Sequence, residues 1–355
     1  QGQGCLVSGY YNNLENRADA RLPAPTIFEL IRRERNSPAT DAWYISVLGG
    51  FYRALQQSDH PEFGARFGGA FMSPPSMLTP VVPLATSGVD VLELDLSQPL
   101  DLPNIPRDAA ADAAVDRLRS VLDGNYPAYG DDGTFRATTA DNIEIRDYLA
   151  EIYSDNTYQA IFPDGFGIGL DDGDGIESTS DALCTYHAER VLAAHQPTVL
   201  ALTLLDIDAA HSDFNGYVRG QQIADACVAH LWDFIQSTDG LRDQTTMIVL
   251  PEHGRHLFSN GQNPDSLGRS GIDHGQGDDG DRDVWMLALG PDIAANNVIA
   301  PTGVTQPGRT SGRYETIDAV MTAMGLLGHD QLMKRTLESA EVGARPGLMI
   351  EEALR

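Results

Sequence analysis

Three short stretches of this sequence set acids beside histidines: Asp206-Ile-Asp208-Ala-Ala-His211, Glu252-His253 and Asp273-His274. Carboxylate oxygens and neutral imidazole nitrogens form a donor set that suits zinc, and less selectively manganese or iron. Any one such pair is commonly a surface or capping feature, so their placement carries the argument. The first follows the apolar run Thr198–Leu205, and the second follows Met247–Leu250 and Pro251. Glycine comes directly after His253 and after His274. An apolar strand that runs into charged side chains and then glycine presents them at its carboxyl end, where α/β enzymes carry their sites. Ligands on separate strand ends can converge without any long local motif, so the three clusters together predict a metal site.

The elements that must position these residues alternate. Strands are expected at Trp43–Leu48, 81–84, 198–206, 246–251 and 284–289, the last ending in Gly290-Pro291. Helices are expected from the capping box Thr26-Ile-Phe-Glu29 to about Arg35, and over 108–122, 142–153, 180–195, 215–237, 315–326 and 330–340. This order predicts an α/β fold: a three-layer α/β/α sandwich with a mostly parallel central sheet covered on both faces. Residues 1–355 are read as one domain, with residues 55–180 as a loop-rich cap inserted over the strand ends. Within the cap, Asp171-Asp-Gly-Asp-Gly175 resembles part of a calcium loop but lacks the later acidic ligands, and is read as a solvated turn.

Composition narrows the partners. The net charge is −27 and Lys334 is the only lysine. A nucleic-acid partner, which needs basic patches, is excluded on this ground. No apolar run approaches the length of a membrane span. Cys5, Cys184 and Cys227 are too few and too scattered for a disulfide framework and are read as buried thiols. His187, His195 and His230 fall on expected helices and are read as structural, and His256 as a solvated loop residue.

The order of motifs resembles a known family. An Asp…His cluster follows a strand, a helix carries Tyr217 and Asp225, and a strand runs into Glu252-His253-Gly254. His274-Gly275 then precedes a strand closing in Gly290-Pro291. Over residues 198–291 this is similar to the C-terminal core of the alkaline phosphatase superfamily. That superfamily includes sulfatases, nucleotide pyrophosphatase/phosphodiesterases and cofactor-independent phosphoglycerate mutases. Arg309 to Gly325 is similar to its closing segment, and Leu6-Val-Ser-Gly9-Tyr resembles the stretch after its nucleophile.

The resemblance implies a two-metal hydrolase of phosphate or sulfate esters, with divalent ions, zinc foremost, and a small anionic ester as substrate. Asp208, His211 and His274 would hold one ion, with Asp206 as the alternative carboxylate. Glu252 and His253 would hold the other, with Glu252 standing where the family usually has Asp. The remaining ligand and the nucleophilic Thr or Ser are expected before Gln1, so the chain is read as N-terminally incomplete. Export to the periplasm or the cell exterior is expected by the same analogy. Arg255 and Arg269 flank the clusters and are candidates for anion binding, because a guanidinium forks onto phosphate or sulfate; salt bridges to nearby acids are the competing assignment. The competing function is a catalytically degenerate relative with a structural or surface-assembly role. A phosphomutase would need a phosphosugar pocket in the cap, and none is readable there.

Overall fold

The computed structural model describes residues 2–11, 21–48, 53–74, 148, 179–211, 213–258, 272–274, 279–299, 303–304, 306–307, 312–339 and 341–355. The expected strand at 81–84, the expected helix at 108–122, the Asp171–Gly175 run and Arg269 lie outside the described residues. So does the expected helix at 142–153 apart from Tyr148, a buried helical residue.

The described residues form a mixed α/β fold around a small parallel sheet. Its central strand, β1 (Ala42–Ser46), is buried at all its positions. It pairs in parallel with β2 (Ala70–Met72) and with β3 (Val199–Thr203), with Trp43 opposite Ala70 on one side and Leu200 on the other. A strand buried on both faces needs a continuous apolar run, which Ala-Trp-Tyr-Ile supplies. Successive side chains point to opposite faces. Tyr44 stacks on Phe28 of α2 (Ile27–Arg35) with ring centroids 5.9 Å apart. Trp43 stacks on His195, at the end of α3 (Ser180–His195), at 5.6 Å. Fully burying each such apolar side chain contributes about 1.5–3 kcal/mol.

The helix ends follow local chemistry. Thr26 and Glu29 form the expected capping box, each side chain bonded to the other's backbone N–H. Thr179 caps α3 by accepting the Ala182 N–H, and α3 stops at Gln196 in the left-handed region, just before Pro197. Asp213 caps α4 (Phe214–Ser237). The later elements are β4 (Met247–Val249), α5 (Asp279–Arg282), β5 (Leu287–Leu289), α6 (Thr316–Leu326) and α7 (Asp330–Leu337).

Three features of the described residues were absent from the expected order of elements. β4 and β5 pair antiparallel as a second, two-stranded sheet, with Met247 opposite Leu289. Residues 70–72, inside the stretch expected to be cap, form the edge strand β2. The polar, glycine-rich start of the chain forms a further helix, α1 (Gly2–Ser8). Glycine disfavours helix by about 1 kcal/mol each, so tertiary packing decides: Cys5 and Val7 are buried, and α1 packs against α6.

The three cysteines are buried free thiols. No helix among the described residues is long and apolar enough to cross a membrane.

Candidate metal centre

β3 releases the chain at Thr203, and residues Asp206–His211 wind into a short 3-10 helix. Its winding begins with the Asp208 N–H bonded to the Leu205 carbonyl at 2.8 Å. The turn lies against α4 at Gly220, where an added Cβ would fall 2.5 Å from Ile207 Cα. No side chain fits there, so glycine is what lets the turn reach the helix. The segment carrying Asp273 and His274 is tied to the same turn, since the Ile272 N–H bonds the Ala210 carbonyl at 3.0 Å. The loop after β4 joins through the His256 N–H on the Asp273 carbonyl at 3.0 Å and the Gly254 N–H on the Asp281 carbonyl at 2.9 Å. Gly254 also permits a close backbone crossing, because a Cβ there would lie 1.8 Å from the Gly280 carbonyl oxygen.

These ties bring together one ligand-type atom each from Asp208, His211 and His274, all within 4.8 Å of one another. His211 Nε2 lies 3.2 Å from Asp208 Oδ1 and 3.2 Å from His274 Nε2. Ligands at zinc–nitrogen and zinc–oxygen distances of about 2.0–2.2 Å sit roughly 3.3–3.6 Å apart around a tetrahedral ion. The two His211 distances lie close to that edge length. The protons argue the same way. His211 Nδ1 is 2.9 Å from Asp273 Oδ1, which keeps the proton on Nδ1 and leaves a lone pair on Nε2. That lone pair then faces His274 Nε2 and Asp208 Oδ1, where either an Nε2–H from His274 or a bound cation would satisfy it.

Glu252 and His253 adjoin this group. His253 stacks on His274 with centroids 3.8 Å apart. His253 Nδ1 lies 2.7 Å from the Gly254 carbonyl, which places its proton there and turns Nε2 toward Glu252 Oε2 at 3.3 Å. Glu252 Oε1 accepts the Gln3 N–H at 3.2 Å, so the first turn of α1 reaches the same place. Gln3 also contacts Thr203 at the end of β3, and Thr203 is hydrogen-bonded to the buried Tyr44 hydroxyl.

The electrostatics favour neutral imidazole. Partial burial, then the neighbouring His253, Arg255 and His211, lower the His274 pKa, with the Asp273 charge opposing. The Asp273 carboxyl is held below the usual carboxylate range, first by the His274 N–H and then by the His211 ring. Metal ligation needs the unprotonated imidazole, which the His274 shift favours.

Several candidates have other partners. Asp206 is outside the cluster and accepts the Asp181 N–H at 3.2 Å. Arg255 is largely buried; it donates to Asp208 Oδ1 and, at 3.3 Å, to the Ile272 carbonyl. Its guanidinium is thus engaged by the site's own acid. His256 is buried, 3.9 Å from Asp281, and is not the solvated loop residue expected.

Two contributors had little signal in the sequence. Asp273 was legible as an acid beside a histidine, but its side chain serves His211, which is distant in the chain. Asp181 carried no sequence signal beyond lying at the start of an expected helix.

The chain matches no family model, no curated protein and no solved structure.

Proposed function

We propose that this protein is a metal-dependent hydrolase of phosphate or sulfate esters, of the alkaline phosphatase superfamily. In this reading the described sheet and helices belong to a three-layer sandwich, and much of residues 55–180 forms a cap over the strand ends. The observation that carries the proposal is the convergence of Asp208, His211 and His274, with the His211 proton directed to Asp273.

Asp208, His211 and His274 would hold one divalent ion, most naturally zinc. Glu252 and His253 would contribute to a second. When bound, such ions supply positive charge to the ester oxygens and lower the pKa of the attacking oxygen. The protein's own residues do the positioning. Asp273 keeps the His211 ring in one tautomer, and His253 braces the His274 ring by stacking. The first turn of α1 also contacts Glu252, through the Gln3 N–H. Among the described residues Arg255 is paired with the cluster's Asp208; it is available to an anionic substrate where that bond can be exchanged.

A specific observation favours a second reading. Arg255 already neutralises Asp208, as in a metal-free cluster that keeps the fold without the chemistry. Zinc uptake by dialysis, combined with release of p-nitrophenol from its phosphate and sulfate esters, separates the two. The hydrolase reading expects zinc bound by the wild type, lost in His211→Ala, and turnover of at least one ester. Absence of both binding and turnover in the full-length protein overturns it in favour of the non-catalytic reading.

A further inference from the structure

We propose that Asp181 is a positioning residue for the metal cluster: its buried carboxylate sets the course of the chain from the end of β3 into the turn that carries Asp208 and His211. This rests on the metal-site reading above and adds a residue that reading does not need. Asp181 lies in the first turn of α3 and is fully buried. A carboxylate there ordinarily serves the free N–H groups of its own helix. Here Thr179 does the capping, and Asp181 reaches across to another segment. Oδ1 accepts the Leu205 N–H at 2.6 Å and Oδ2 accepts the Asp206 N–H at 3.0 Å. Asp206 Oδ2 returns the contact by accepting the Asp181 N–H at 3.2 Å.

β3 ends at Thr203, so Leu205 and Asp206 stand beyond the sheet ladder. Backbone donors leaving a ladder inside a protein need a partner, or they cost the desolvation of the group. Asp181 meets that need for two consecutive residues and so fixes the direction of the peptide planes there. The Asp208 N–H bonds the Leu205 carbonyl next, which makes residue 205 the hinge of the turn. The clamp acts on that hinge and not on the ligands directly. Burial is the main reason the Asp181 pKa rises to about 7, and the Asp206 charge adds to it.

The test compares wild type, Asp181→Asn and Val191→Ala, the last a buried truncation farther along α3. Zinc affinity is read by competition with a chromophoric chelator, and amide exchange over residues 204–211 is read in metal-free protein. Asp181→Asn is expected to weaken zinc binding about 10- to 100-fold and to speed exchange in that segment. Val191→Ala is expected to lower the Tm and change neither readout. Should Asp181→Asn fail to fold, Asp181→Glu, which keeps both acceptors on a longer stem, is measured in its place, with an intermediate loss of affinity expected. A folded Asp181 variant with wild-type zinc affinity, or with unchanged exchange over 204–211, overturns the proposal. If wild type takes up no zinc, the metal-site reading fails, and exchange alone decides whether Asp181 holds the turn.

Discussion

The two nitrogens of His211 face different partners, and the site's chemistry follows from that division. Nδ1 gives its proton to Asp273, so Nε2 points its lone pair at His274 and Asp208. Asp273→Asn is expected to weaken zinc binding about 10- to 100-fold, because an amide can present its NH₂ to Nδ1 and drive the proton to Nε2. Titration calorimetry against His211→Ala, which should lose the ion outright, grades the effect. Glu252→Gln should leave that ion in place, since Glu252 is directed to Gln3 and His253; equal loss of zinc from Glu252→Gln and His274→Ala would show that the ligands divide differently. The residue types were legible at this scale because each acid stands beside its histidine. The partner of Asp273 was not, because its side chain serves the His211 ring and not that of its own neighbour.

Among the elements, close approach decides more than propensity. Gly220 in α4 lets the 206–211 turn lie on the helix, and the nearest obstacle to a Cβ is backbone, which cannot swing aside. Gly220→Ala is therefore expected to cost about 1–3 kcal/mol from overpacking, despite alanine's better helix propensity, as read by urea unfolding. A gain in stability would mean that the turn is not pressed against α4. Thr26→Ala should cost about 1 kcal/mol through loss of the α2 cap, with little effect on zinc. A helix end such as Thr26 was readable from sequence because capping is a local exchange between residues close in the chain. The antiparallel pairing of β4 and β5 was not, since strand direction depends on a partner that the strand's own residues do not name.

For the molecule as a whole, buried acids set a pH dependence. Burial pushes the Glu189 carboxyl up to about 7, although the His230 ring lies 2.7 Å away and opposes the shift. Burial raises Glu29 as well. An acid with a raised folded pKa holds its proton more tightly when folded. Its contribution is complete below the unfolded value of about 4.3 and is lost as pH rises through about 7. His187 works the other way. Burial lowers its pKa to about 3, so its contribution is present above about 6.5 and lost as pH falls toward 3. Between pH 5 and 8 the acids should dominate, and Glu189→Gln is expected to flatten the fall in stability. Urea midpoints at the two pH values check this, and a wild type with equal midpoints would contradict it. The net charge of −27 adds self-repulsion in the same direction.

The sequence by itself determined the helix capped at Thr26, the existence of the strand that begins at about Trp43, the mixed α/β class of the fold and the residue types of the candidate site. Those properties depend on neighbours a few residues apart, on apolar runs, or on side-chain chemistry alone. Tertiary structure decided which acid joined the histidines. Asp206 and Asp208 are equivalent by type and nearly so by position, but Asp181 engages the first and leaves the second to face His211 and His274. It also decided that the chain's glycine-rich start becomes α1 and reaches Glu252. Both outcomes come from hydrogen bonds and packing between segments far apart in the chain, where the free energy depends on a partner that local sequence does not specify.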